Sequence, residues 1–247
     1  MTLPVHWVPS LVGATLGSTV EVTGDEAHHA VAVRRLRVGE SVVLTDGLGR
    51  VATGVVASTG KRAFEVTVAS LVDTPLAEPV VTVVQAIPKG NRGELAVELL
   101  TEIGVARVVP WAASRSVAVW RGERAAKSVE RWRSTAREAS KQARRSWFAA
   151  VDGVATTADV EALVAAADVA VVLHEDATAP LAGLRVPAVG SVVVVVGPEG
   201  GLSDDEVATF EAAGAHAVRL GAEVLRTSTA GVAAVAALLS RTSRWGG

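Results

Sequence analysis

Val192-Val-Val-Val-Val-Gly-Pro-Glu-Gly-Gly-Leu-Ser203 is the stretch on which the fold turns. Five consecutive β-branched residues suit a pleated strand, and the lack of polar alternation implies that both faces of that strand are covered. The strand stops at Gly197. The Gly197-Pro-Glu-Gly-Gly201 turn offers φ freedom at three positions and leaves main-chain N–H and C=O groups open to a docking partner. Ser203 and Glu206 then form an S-x-x-E capping box, with Asp204 and Asp205 adding negative charge to the first helical turn. Strand, glycine turn and helix start make one unit of an open α/β sheet, whose ligands sit beyond the strand ends.

Downstream, Leu220-Gly-Ala-Glu-Val-Leu-Arg-Thr-Ser-Thr-Ala-Gly231 is a second glycine-bearing turn ahead of an apolar helix. Upstream, periodicity predicts strands at 80–87, 106–111 and 168–174, and another at 215–220. Helices are predicted at 92–103, 123–145 and 159–166, from the capping box to Ala213, and at 229–240. Leu95, Leu99 and Leu100 mark the expected buried face of the first of these helices. Strands alternating with helices imply a mostly parallel sheet covered on both faces. Residues 5–72 differ: short β-rich segments at 18–22, 40–45, 49–57 and 62–71, punctuated by glycine, suit a small barrel or sandwich. Asp73-Thr-Pro-Leu-Ala-Glu-Pro79 has two prolines and no periodicity, so it reads as a connector. The expected division is a β-barrel at 1–72, a linker at 73–79 and an α/β domain at 80–247.

The net charge of −2 hides a local excess of cations. From Arg121 to Trp147 nine basic residues, among them Lys141, Arg144 and Arg145, face three acidic ones. With Trp120, Trp132 and Trp147 interleaved, this helix offers cations for phosphates and flat rings for bases, although Trp132 fits a core position equally well. In the barrel, Asp25 is placed to cap a short helix carrying His28 and His29, which delivers Arg34, Arg35 and Arg37 together. These suit either phosphate contact or a solvated turn. The two histidines lack a third ligand at useful spacing, so no metal site is expected.

Other features narrow the chemistry. With no cysteine in the chain, disulfides, thiolate metal ligands and a thiol nucleophile are excluded. The opening Met-Thr-Leu-Pro-Val-His-Trp is unlike a signal peptide, and no apolar run is long enough to span a bilayer, which predicts a soluble, cytoplasmic chain. The P-loop, the dinucleotide fingerprint and the G-x-S-x-G elbow are all missing. What remains is a site at one sheet edge, built from residues 197–201, residues 220–228 and the strand end Leu173-His-Glu175, able to read a flat ring through main-chain groups.

Val196-Gly-Pro-Glu-Gly-Gly-Leu-Ser-Asp-Asp-Glu206, followed by Val218-Arg-Leu-Gly-Ala-Glu-Val-Leu-Arg-Thr-Ser-Thr-Ala230, resembles the C-terminal signature of the RsmE family of SPOUT-class methyltransferases. The likeness extends through His28-His29, Val33-Arg-Arg-Leu-Arg-Val-Gly39, Lys89-Gly-Asn-Arg92, Leu100-Thr-Glu-Ile-Gly-Val105, Ser114-Arg-Ser-Val117 and the block from Arg131-Trp132 to Arg144. The resemblance implies a C-terminal SPOUT α/β domain with a trefoil knot, a small N-terminal PUA-like β-barrel and a homodimer. It further implies S-adenosylmethionine as cofactor and N3 of a uridine in small-subunit ribosomal RNA, within an assembled or nearly assembled subunit, as target. No metal and no membrane are involved. An RNA-binding assembly module without catalysis, or a SPOUT enzyme acting on a ribose 2′-OH, are the competing functions.

On this reading Leu173, His174, Gly197, Glu199, Gly201, Leu220, Gly221, Leu225 and Thr227 hold the cofactor. Arg34, Arg35, Arg37, Arg115, Lys141, Arg144 and Arg145 hold RNA. Removing the imide proton of uracil leaves negative charge on its oxygens, which Arg226 is placed to stabilise. Glu199 either orients a ligand, accepts the proton or braces its own turn. Ser228 stands where the family usually has an acidic residue, so the resemblance carries no carboxylate base to that position.

Overall fold

The computed structural model describes residues 3–246; Met1, Thr2 and Gly247, the outer ends of the two expected domains, lie outside the described residues. Two compact units are present: Met1–Leu76 with Lys141–Phe148, and Ala77–Ser140 with Ala149–Gly247.

The first unit contains β1 (Val5–Trp7), β2 (Thr19–Thr23), α1 (Gly24–His28), β3 (Ser41–Thr45), β4 (Arg50–Thr59) and β5 (Ala63–Asp73). Their order is β1-β3-β4-β5-β2, with β1 parallel to β3 and the other pairs antiparallel. Alternation sets the inward face, since Val42 and Leu44, Ala52, Gly54 and Val56, and Phe64, Val66 and Val68 are buried while the alternate residues reach solvent. Ala27 and Ala30 join this core. The cap of α1 is not Asp25. Thr23 occupies the N-cap position without a side-chain bond, and Asp25, one residue into the helix, pairs with Arg62 at 3.1 Å. A π-helical turn, His29–Val33, follows.

Residues 141–148 complete this unit. The Gly49 N–H donates to the Ser146 carbonyl and the Phe148 N–H to the Gly47 carbonyl, both at 2.9 Å, while Trp147 Nε1 donates to the Thr74 carbonyl at 2.7 Å. Lys141 Nζ lies 2.8 Å from Glu26 Oε2, and His6 Nδ1 lies 3.1 Å from Oε1 of the same carboxylate. Burial raises the Glu26 carboxyl, but the hydrogen bonds of His6 and Lys141 outweigh it and hold the group below the usual glutamate value. A depressed folded-state value means that this stabilisation is present above the ordinary 4.5 and is lost as pH falls through the folded value. Glu26→Gln is therefore expected to cost about 1–3 kcal/mol near neutral pH, with the gap to the parent closing as pH falls below 4.5. Thermal melts across that range check it; a pH-independent gap would show that charge plays no part.

The second unit contains β6 (Val80–Ala86), α2 (Arg92–Glu102), β7 (Arg107–Trp111), α3 (Gly122–Gln142), β8 (Ala150–Val151), α4 (Thr157–Ala165), β9 (Val169–Leu173), β10 (Ser191–Val196), α5 (Asp204–Ala212), β11 (His216–Val218), α6 (Thr227–Leu239) and α7 (Ser243–Gly246); the last two residues of α3 fall in the first unit. All pairs in the sheet β11-β9-β10-β6-β7-β8 are parallel. The valine strand β10 lies inside it. Val192, Val194 and Val196 enter one core cluster with Leu100, Trp132 and Leu238, while Val193 and Val195 enter another with Phe210 and Val160. Each such valine contributes about 1.5–3 kcal/mol by leaving water.

One helix face differs from expectation, and in a second the open choice for Trp132 is decided. In α2 the buried residues are Gly93, Ala96, Val97, Leu100 and Thr101, whereas Leu95 is 45% exposed, because this face rotates its small residues against the sheet cluster. In α3, Val129, Trp132, Ala136, Ala139 and Ser140 are buried at helical spacing, so Trp132 is a core residue and cannot stack on a base. The Trp120 ring meets it edge-on at 5.1 Å, and Trp147 is half-buried against Thr74. The three rings serve packing.

Candidate functional site

Register places the loops at one level. Val218 pairs with Leu173, Leu173 with Val196, and Val196 with Gln85, so one row crosses β11, β9, β10 and β6. Each of the first three is the last residue of its strand and feeds a loop singled out above. Parallel strands thus put residues 174–175, 197–201 and 219–226 along one edge, the position where α/β sheets receive ligands. The His174 N–H donates to the Val218 carbonyl at 3.0 Å, which fastens the first loop to the third.

The middle loop uses its glycines unequally. Gly201, at φ 73°, is the one with left-handed backbone, and its N–H closes the turn onto the Pro198 carbonyl at 3.0 Å. Gly200 is needed for close approach, since a Cβ there would stand 3.2 Å from the Arg115 carbonyl. Ser203 and Glu206 form the expected capping box. Glu206 does more than that: its Oε1 accepts the Ser114 N–H at 2.7 Å, tying α5 to the loop after β7.

The side chains of the expected cofactor set divide. Leu173, His174, Gly197, Gly201 and Leu220 are half-buried along the edge, while Glu199, Gly221, Leu225 and Arg226 are exposed. Thr227 is buried, and its hydroxyl is already engaged, donating to the Gly197 carbonyl at 2.8 Å and accepting from Gln85 Nε2 at 2.9 Å. It fastens two loops together. Glu199 does not brace its own turn; its Oε1 accepts the Lys89 N–H at 3.1 Å, linking the loops after β10 and β6. Arg226 is the N-cap of α6, its carbonyl held by the Thr229 and Ala230 N–H groups at 2.9 Å, and its guanidinium has no partner among the described residues. Ser228 is buried in the first turn of α6. Val224 and Leu225, 77% and 40% exposed, present apolar surface in the third loop.

Sequence reading passed over Gln85. The signal was available: it is the one amide in a mostly apolar strand ending at the same edge, and it is fully buried.

The cations divide too. Arg34, Arg35 and Arg37 are exposed and their guanidinium groups have no partner among the described residues, as is true of Arg144. Lys141 is different, being largely buried on Glu26. Arg115 Nη1 donates to the Leu202 carbonyl at 2.9 Å and supports the glycine turn. Arg145 is half-buried, and Arg131 and Arg133 pair with Glu94 and Glu130. Much of the excess on α3 is therefore committed to the fold. Among the described residues no group of three or more His, Asp or Glu could hold a metal, and no helix is long and apolar enough to cross a membrane.

Residues 76–239 match the RNA methyltransferase domain family, and residues 22–69 match the RNA methyltransferase PUA domain. The chain is 46% identical over 233 residues to ribosomal RNA small subunit methyltransferase E of Mycobacterium tuberculosis, covering 93% of this chain and 89% of that relative. The chain belongs to the ribosomal RNA small subunit methyltransferase E family. The Bacillus subtilis member is 29% identical over 234 residues, with 91% of each chain covered. A Neisseria gonorrhoeae member of this family, solved bound to S-adenosyl methionine, superposes with a TM-score of 0.86 at 27% identity, covering 97% of this chain and 98% of that one. A Legionella pneumophila protein solved with the same cofactor gives 0.88 at 25% identity, covering 98% and 99%. The family resemblance drawn from the motifs is borne out, as is the pairing of a SPOUT-class α/β domain with an N-terminal PUA domain.

Proposed function

We propose that this chain methylates N3 of a uridine in small-subunit ribosomal RNA, using S-adenosylmethionine. The observation that carries the reading is the level row of strand ends, with its three loops of open main-chain groups and the exposed apolar pair Val224 and Leu225. That donor set fits an adenosyl group: apolar side chains for the ring, main-chain N–H and C=O for its edge. Leu173, His174, Gly197, Gly201, Leu220, Gly221 and Leu225 would line the cofactor, which supplies an electrophilic methyl group when bound.

The residues of the chain then have three tasks. Holding N3 in line with the methyl supplies roughly 7–11 kcal/mol of barrier reduction through orientation alone. Arg226, anchored by its backbone and free at its guanidinium, stabilises negative charge developing on a uracil oxygen. Glu199 accepts the imide proton or orders the loop that positions the base. Arg34, Arg35, Arg37 and Arg144 supply phosphate contacts, which are strong for guanidinium forks and fall with salt. The active state is a cytoplasmic homodimer whose last strands and loops build a trefoil knot, and its substrate is an assembled or nearly assembled subunit.

Calorimetry of the full chain with S-adenosylmethionine is expected to show saturable binding and a raised melting temperature. Mass spectrometry of small-subunit ribosomal RNA from cells lacking the protein is expected to show one N3-methyluridine missing. No heat and no stabilisation would favour a binding module without catalysis; a missing ribose methyl would refute the uridine assignment.

A further inference from the structure

We propose that Gln85 is a positioning residue for cofactor binding, setting the direction of a two-step hydrogen-bond relay through Thr227 to the Gly197 carbonyl. The inference rests on the S-adenosylmethionine reading of the strand-end edge. Gln85 is the penultimate residue of β6, is 0% exposed, and stands beside Val196 in the register. Its Nε2 lies 3.2 Å from the Ala86 carbonyl and 2.9 Å from Thr227 Oγ1. A carbonyl can only accept, so the amide must present its NH2 end to both, which fixes its orientation. Its Oε1 is buried without a partner among the described residues. The side chain is thus placed for its donors, at the expense of its acceptor.

The consequence falls on Thr227. Its hydroxyl has one proton and must accept from Gln85, so that proton is directed to the Gly197 carbonyl 2.8 Å away. β6, the N-terminus of α6 and the glycine turn after β10 are pinned by one polarised chain, while the Gly197 carbonyl is occupied by protein. Neither Gln85, Thr227 nor the Gly197 carbonyl is hydrogen-bonded to a titratable side chain among the described residues. A relay that sets loop geometry should therefore respond to donor polarity rather than to volume.

Gln85→Glu tests this with little change of shape. As a carboxylate it accepts where Gln85 donates, so the Thr227 proton turns away from Gly197; once protonated, it can donate again. Its affinity for S-adenosylmethionine, measured by calorimetry, is expected to fall about tenfold or more at about pH 8 and to recover towards the parent at about pH 6. Thr227→Val is expected to lose about tenfold at both pH values, whereas Thr227→Ser stays within about threefold of the parent. A pH-independent Gln85→Glu, or Val and Ser variants of Thr227 that bind alike, would overturn the relay. If Gln85→Glu does not fold, as melting would reveal, the Thr227 pair decides alone. A parent protein that binds no S-adenosylmethionine would overturn the underlying reading instead, and the relay's role in cofactor binding with it.

Discussion

Replacing Trp132 with alanine is expected to destabilise the chain by about 3–5 kcal/mol, a large part of the stability of an ordinary domain. The ring is 1% exposed, belongs to the cluster that contains Val83, Leu100 and Val194, and takes the Trp120 ring edge-on at 78°. Gly93 makes room for it: a Cβ on Gly93 would lie 2.8 Å from Trp132 Cε2. Truncation removes the transfer free energy of the ring and leaves a void that these neighbours cannot fill. Trp132→Phe should cost much less, because Trp132 Nε1 is buried without a partner among the described residues and phenylalanine removes that orphan donor. Urea unfolding of the three proteins checks the order. Full stability of the alanine variant with selective loss of RNA affinity would return the ring to a base-stacking role.

Glu206→Ala should cost about 2–4 kcal/mol. Its carboxylate is 4% exposed and accepts from the Ser114 N–H at 2.7 Å, the Ser203 N–H at 2.9 Å and the Ser203 hydroxyl at 3.1 Å. Burial raises this carboxyl, but the backbone bonds from Ser114 and Ser203 outweigh it and lower the group below the ordinary 4.5. The stabilisation is therefore complete above that ordinary value and disappears as pH falls through the lower folded value. Glu206→Gln should be destabilised near neutral pH, since an NH2 would then face backbone donors, and should approach the parent as pH falls below 4.5. Unfolding midpoints near neutral pH and below 4.5 decide it. Because Glu206 also fixes the exit of the glycine turn, both variants should bind S-adenosylmethionine more weakly; unchanged affinity would confine Glu206 to helix capping.

What the sequence made legible was whatever depends on neighbours in the chain. The valine run, the capping box at Ser203 and the β-rich segments that became β4 and β5 are local patterns, and the strands and the cap form where they were expected. β1 went unread because three residues next to Pro4 give too short a period, and its partner β3 lies far along the chain. The reach of Glu206 to Ser114, separated by 92 positions, has no local trace. Charge was the most deceptive signal. Counting cations on α3 cannot reveal that Lys141 meets Glu26, and the tryptophans beside them looked like stacking platforms until helical spacing grouped Trp132 with Val129 and Ala136. Gln85 was visible as an odd amide in a strand, but its task depends on Thr227, 142 positions away.

The discontinuity of the first unit bears on how the protein is made. Leu76 leaves the ribosome about 65 residues before Lys141, a delay of roughly 3–13 s at ~5–20 residues per second. Until then the nascent five-stranded sheet lacks the strand-like partner of Leu48, the acceptor for the Gly49 N–H and the ammonium that neutralises Glu26. Its last contacts must wait for a segment encoded inside the stretch that forms the second unit, so the first unit is completed only during synthesis of the second.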